Sequence, residues 1–223
     1  MSITEETELK VAEFLLQIKA IKLSPRQPFT WASGWLSPIY CDNRIALSHP
    51  KIRTYIRQRL TDQINEDFGQ VDAIAGVATA GIPQGVLVAQ ELGLPFAYVR
   101  SEAKNHGMTN LIEGELKPGA RVVVVEDLIS TGKSSLHAVK ALREAGFDVV
   151  GLISIFNYGF PLAAENFKNA NCKMVSLSNY DTLIKQALNT GFILENDVEL
   201  LISWKENPEN WGKEIENLHN AHS

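Results

Sequence analysis

The stretch VVVVEDLISTGKSS, residues 122–135, carries the densest chemistry in the chain. Its four valines read as a strand buried on both faces. Glu126 and Asp127 follow at the strand's carboxyl end, and a short loop over residues 128–132 opens a helix. In open parallel sheets, ligands bind beyond the carboxyl ends of the strands. A helix that starts in a loop of small residues presents unpaired backbone N–H groups and the positive end of its dipole, which suits a phosphate. Ser130, Thr131 and Ser134 add hydroxyl donors. Adjacent carboxylates are of no use to a phosphate alone. They suit a ligand that also offers hydroxyl donors, such as a ribose diol, with a magnesium ion nearby.

Two other readings compete. The P-loop pattern G-x-x-x-x-G-K-[ST] finds its end in Gly132-Lys133-Ser134, but its first glycine would fall on Asp127. The plainer alternative is a polar strand-to-helix connection with nothing to bind. Against it stands the convergence of acids, hydroxyls and glycine in one turn.

Two further stretches bear on the same chemistry. From Arg100 to Gly119 the chain is polar, contains Gly107 and Gly114, and is too long for a median connection, which makes it a candidate lid. Arg100, Lys104 and His106 put three potential cations close together there. Cations that arrive as a lid closes stabilise a departing anion in a water-poor site. The bland alternative is a solvated loop with incidental charge. Upstream, FTWASGWLSPIYCDNR over residues 29–44 is aromatic and punctuated by glycine and proline, which reads as extended segments or loops.

Together these stretches resemble the orotate phosphoribosyltransferases, within the type I phosphoribosyltransferase family. EDLISTGKS resembles the motif that binds phosphoribosyl pyrophosphate (PRPP). RSEAKNHG, residues 100–107, is similar to the mobile catalytic loop, and residues 29–44 are similar to the N-terminal signature. The first motif is shared by PRPP enzymes of the type; the other two are more specific to orotate. The resemblance puts Glu126 and Asp127 on the ribose hydroxyls. Ser130, Thr131, Gly132, Lys133 and Ser134 wrap the 5-phosphate, within a donor-binding run that includes Leu128 and Ile129. It sets Arg100 and Lys104 on the pyrophosphate with His106 near it, and makes Lys104, Arg100, His106 and Asp127 the catalytic group. Ser130, Tyr40 and Arg44 are the candidates for orotate. For Arg44, an ion pair with Asp42 is the open alternative; for Tyr40, simple packing.

The implied activity is pentosyl transfer from PRPP to orotate, giving orotidine 5-phosphate and pyrophosphate in pyrimidine synthesis. Magnesium is the implied cofactor, bound mainly through PRPP. The implied assembly is a homodimer that shares its lids between subunits. The sequence also departs from the family's pattern. Ser101, Ala32, Leu36 and Ala80 stand where relatives often carry lysines, and IFNYGFP, residues 155–161, lacks the arginine that many use for the orotate carboxylate. Two rivals are a purine-specific PRPP enzyme and a PRPP-sensing regulator; the latter needs a DNA-binding segment.

The elements that must position these residues alternate. Strands are expected at residues 71–77, 94–99, 121–125, 148–156 and 173–177, and helices at 5–22, 82–92, 133–145, 161–170 and from 197 onward. Ser48 is the expected N-cap of a further helix that runs to about residue 68, with Pro50 in its first turn. The result is an α/β fold: a mainly parallel five-stranded sheet flanked by helices, with a small N-terminal hood. It forms a single domain, divided into hood (1–69), core (70–190) and helical tail (191–223).

Composition narrows the class. The chain has 223 residues, 45% hydrophobic and 21% charged, with net charge −5. That balance disfavours a nucleic-acid binder. Two distant cysteines, Cys41 and Cys172, form neither a disulfide framework nor a zinc site. The acidic N-terminus is not a signal peptide, and no run approaches the ~18 apolar residues of a membrane span. The expectation is a cytoplasmic protein without membrane or nucleic-acid partners. His49, His137 and the tryptophans Trp31, Trp35, Trp204 and Trp211 are expected at caps, on solvated faces, or in packing or interfaces.

Overall fold

The computed structural model describes residues 3–31, 34–102 and 111–212. Helix α1 (Glu5–Gln17) starts at Thr4, whose hydroxyl accepts from the Thr7 N–H, and carries Glu5, Glu6 and Glu8 in its first turn. Acids there oppose the helix dipole favourably. Val11, Ala12, Leu15 and Leu16 form its buried stripe. Full burial of each larger side chain is worth about 1.5–3 kcal/mol over exposure. The helix stops earlier than its apolar period suggests. Lys19 takes a left-handed φ of 57°, and residues beyond it turn into β1 (Ile21–Leu23).

Next come β2 (Phe29–Thr30), β3 (Leu36–Ser37) and β4 (Ile39–Cys41). β1 pairs antiparallel with β4, and β2 with β3, forming two small sheets. A 3-10 turn, Asn43–Ser48, leads into α2 (Pro50–Phe68). Ser48 is therefore not the N-cap of α2. It closes the 3-10 turn, and His49 occupies the cap without a side-chain bond.

The core alternates as expected: β5 (Ala73–Val77), α3 (Gly81–Leu92), β6 (Phe96–Val99), β7 (Ile112–Glu113), β8 (Arg121–Ile129), α4 (Lys133–Glu144), β9 (Asp148–Asn157), α5 (Pro161–Asn169) and β10 (Met174–Asn179). Then follow α6 (Tyr180–Asn189) and α7 (Glu195–Glu206). The main sheet has six strands, not five, ordered β10-β9-β8-β5-β6-β7. Five are parallel. The added β7 lies antiparallel on β6, within the polar stretch read as loop. Two residues are too short to give a periodic signal. α6 is a further element beyond the expected set, capped by Asn179, whose side chain accepts from the Thr182 N–H.

β8 lies at the centre and explains the position of the acids. It runs four residues past the expected end, so Glu126, Asp127, Leu128 and Ile129 belong to the strand. Its pairing with β5 ends at Gly76–Val125, while β9 follows it to Ile129–Asn157. Apolar clusters fill both faces. One gathers residues of α1, α2, α3, α6 and α7 with Val123, Val125, Ile153 and Ile155; the other gathers α4 and α5 with Val122, Val124 and Leu152.

Candidate active site

Glu126 sits near the carboxyl end of β8 and is 5% exposed. Its carboxylate accepts from the Asp127 backbone N–H at 3.0 Å and from the Ser135 hydroxyl at 3.3 Å. Burial, reinforced by the Asp127 charge, pushes its pKa up to about 9. Burial also raises Asp127, against the opposing pull of its bond with Glu126 and of the Arg44 charge. Two carboxylates held this close in a poor solvent favour a shared proton. Hydroxyl donors or a cation placed against them would restore the ionised forms.

Past the acids, Ser130 and Thr131 lead to Gly132, which caps α4 in a left-handed conformation, φ 79°. α4 has no side-chain cap, so its first backbone N–H groups depend on an outside acceptor. α5 supports this turn from behind. The Asn166 side chain donates to the Thr131 carbonyl at 3.0 Å, and a Cβ at Gly132 would meet Phe167 at 2.6 Å. The turn after β5 closes in from the other side. A Cβ at Gly81 would lie 2.4 Å from the Val125 carbonyl oxygen, so only glycine lets α3 start this close to the acid pair.

A cavity of about 730 Å³ opens beside these turns. The wall includes Leu128 and Ser130 through Ser134 on one side, and Ala78, Arg100 and Ser101 on the other. Arg100 stands at the base of the candidate lid. Its N–H donates to the Leu111 carbonyl at 2.8 Å, and its guanidinium lies 3.6 Å from the Glu113 carboxylate. The pairing of β6 with β7 thus holds both ends of the segment between them. Lys104 and His106, on that segment, fall outside the described residues, as does Ala32.

The remaining candidates fare differently. Ile129 is fully buried, which leaves only its backbone for a ligand. Lys133 and Ser134 are exposed on the cavity wall, and so is His137, as expected of a solvated helix face. Glu126, Asp127, Tyr40 and Arg44 are not part of that wall. Tyr40 is 41% exposed, its ring 5.8 Å from that of Phe29. Arg44 grips Asp42 with two hydrogen bonds, 2.7 and 2.9 Å, so the ion-pair alternative is realised. Ala80 precedes α3, and Leu36 packs under Gly212.

Several supporting residues escaped sequence reasoning. Asn43 is fully buried, donates to the Asp127 carbonyl at 2.8 Å and accepts from the Cys41 thiol at 3.3 Å. It lies inside the N-terminal signature, one residue before Arg44, yet a lone asparagine announces no chemistry. Ser135 lies one residue past the phosphate-loop motif. Asn166 and Phe167 sit in a later helix, and nothing in their types or spacing links them to the loop.

The donor set suits a hard cation only in part. No cluster of three His, Cys, Asp or Glu side chains occurs among the described residues. Mg²⁺ needs about six oxygens and keeps waters readily, so two carboxylates fit an ion that arrives with its ligand's own oxygens. No described helix is long and apolar enough to cross a membrane.

Known proteins share both the sequence and the shape. The phosphoribosyl transferase domain model matches residues 47–188. An orotate phosphoribosyltransferase of Bacteroides thetaiotaomicron is 59% identical over 200 residues, covering 90% of this chain and 94% of that protein. The crystal structure of an orotate phosphoribosyltransferase from Aeropyrum pernix superposes with a TM-score of 0.72 at 29% identity, covering 82% of this chain and 99% of that one. The Mycobacterium tuberculosis orotate phosphoribosyltransferase solved in complex with PRPP gives 0.63 at 26% identity, covering 79% and 98%.

Proposed function

The chain belongs to the phosphoribosyltransferase family, in its orotate phosphoribosyltransferase branch, and on that premise we propose how its residues carry out the transfer. The reaction moves the phosphoribosyl group of PRPP to orotate, giving orotidine 5-phosphate and pyrophosphate in pyrimidine biosynthesis. The observation that carries the residue assignment is the buried Glu126–Asp127 pair leading directly into the glycine-capped turn that lines the cavity.

In this reading the backbone N–H groups and hydroxyls from Ser130 to Ser134 hold the 5-phosphate at the start of α4, and Leu128 and Ile129 contribute through the strand end. Glu126 and Asp127 accept from the ribose hydroxyls, which holds both acids ionised beside the sugar. The C1–oxygen bond to diphosphate breaks, with the electron pair leaving on the diphosphate. The ring gains oxocarbenium character, and the orotate nitrogen forms the new bond from the opposite face. The ionised acids stabilise the cationic sugar, while Arg100, Lys104 and His106 meet the leaving diphosphate. Ser130, Tyr40 and Arg44 surround the base. For Arg44 this requires release from Asp42, or a role for the ion pair as a unit.

Magnesium fits as the cofactor: it would be bound mainly through PRPP, with Asp127 as a nearby carboxylate, and would neutralise charge on the leaving group. The chain works as a cytoplasmic homodimer in which the lid of one protomer reaches its partner's site. The direct assay mixes the protein with PRPP, magnesium and orotate and follows loss of orotate absorbance. Turnover with a purine base and none with orotate would reassign the substrate.

A further inference from the structure

Two tyrosines are buried together beneath the N-terminal hood, and they differ in one respect. The Tyr180 hydroxyl donates to the Leu201 carbonyl at 3.0 Å. Tyr158 is 2% exposed, yet its hydroxyl makes no hydrogen bond among the described residues. The oxygen is not among the fully enclosed side-chain atoms that lack a partner, so it borders open space rather than packed side chains. The hydroxyl is therefore free to donate to a ligand, whereas that of Tyr180 is already committed.

The ring itself is held firmly. It stacks on Phe160 at 5.4 Å and meets Trp31 at 5.5 Å and Trp204 at 5.6 Å. These contacts fix its position at the carboxyl end of the sheet. The Tyr158 N–H donates to the Ile129 carbonyl at 3.0 Å, which sets its backbone beside the start of the phosphate turn at Ser130. Trp31 ties it to the other wall, since the Trp31 indole donates to the Ile39 carbonyl, one residue before Tyr40. The ring therefore bridges the two segments expected to meet the base. Burial, and then the nearby Cys41, Tyr180, Asp127 and Tyr40, push its pKa well above that of a free phenol, so the group is a neutral O–H donor.

We propose that Tyr158 is a specificity-determining residue, whose hydroxyl donates a hydrogen bond to an acceptor oxygen of the pyrimidine substrate. Orotate presents ring carbonyls and a carboxylate, all acceptors, so a rigid donor matches its chemistry. A site built to hydrogen-bond its substrate loses binding steeply when one partner is removed. This inference rests on the reading of the adjoining cavity as the donor site.

Tyr158→Phe separates the possibilities, because it removes one atom and keeps every ring contact. The expected result is a melting temperature close to that of the parent, a KM for orotate raised about tenfold or more, and unchanged affinity for PRPP with magnesium. An unchanged KM for orotate overturns the proposal, and so does a rise in KM matched by an equal loss of PRPP affinity. Asp127→Asn serves as the control for the underlying reading. If it binds PRPP as the parent does, that reading fails; if it loses PRPP binding while Tyr158→Phe leaves the orotate KM unchanged, only the role of Tyr158 falls.

Discussion

The Asn43 side chain donates to the main-chain oxygen of Asp127 at 2.8 Å, joining two residues 84 positions apart. The bond ties the N-terminal signature to the strand that carries the acid pair, so the two halves of the site cannot shift independently. The Cys41 thiol donates to the Asn43 Oδ1, which leaves the amide nitrogen facing Asp127.

Asn43→Ala should therefore cost about 1–3 kcal/mol of stability, since it strands a buried carbonyl. It should also lower kcat with orotate about tenfold, equivalent to ~1.4 kcal/mol of lost positioning, with a smaller effect on PRPP affinity. Denaturant unfolding and steady-state kinetics measure the two effects. Equal losses of PRPP affinity and kcat would point to a purely structural bond.

The acid pair predicts a pH dependence. Glu126 is raised to about 9 in the folded chain from an ordinary 4.5, so the native state binds more protons than the unfolded chain between those values. Stability of the ligand-free protein should fall as pH rises through that window. Glu126→Gln should flatten the slope, as unfolding curves at several pH values would reveal. Ribose hydroxyls favour the ionised carboxylates, so PRPP binding near neutral pH should release protons. Calorimetry in buffers of different ionisation enthalpy reads that release, and a proton-neutral binding would contradict the assignment.

Gly132→Ala tests the phosphate turn. A left-handed alanine costs roughly 1–2 kcal/mol, and its methyl group would strike Phe167. PRPP affinity should drop, with part of it recovered when Phe167→Leu makes room. An alanine variant that binds PRPP normally would remove the turn from the site.

Lys104→Ala tests the lid. Turnover should fall by about 10²–10³, the usual cost of a lost charge-stabilising donor, while PRPP binding weakens only modestly. Rates like those of the parent chain would mean that Lys104 is not catalytic.

Much of this was legible in the sequence because it depends on local pattern. The valine run at residues 122–125 fixed the central strand, and the glycine at position 132 marked where the helix begins. What stayed hidden depends on distance. The strand continued through Ile129 because β9 pairs with it that far, and a polar acid pair disguised the continuation. β7 forms only by lying on β6. Asn43, Asn166 and Phe167 reach the site through contacts 35 or more positions away, or through shape alone. Tyr158 is one aromatic among several in the sequence, and only the fold separates its unbonded hydroxyl from the bonded one of Tyr180.

The most direct test is a crystal structure of the protein with PRPP and magnesium. The prediction is that the ribose 2- and 3-hydroxyls donate to the carboxylates of Glu126 and Asp127, with the 5-phosphate seated on the backbone N–H groups between Ser130 and Ser134. A ribose bound elsewhere, with both acids still bonded only to each other and to Ser135, would contradict it.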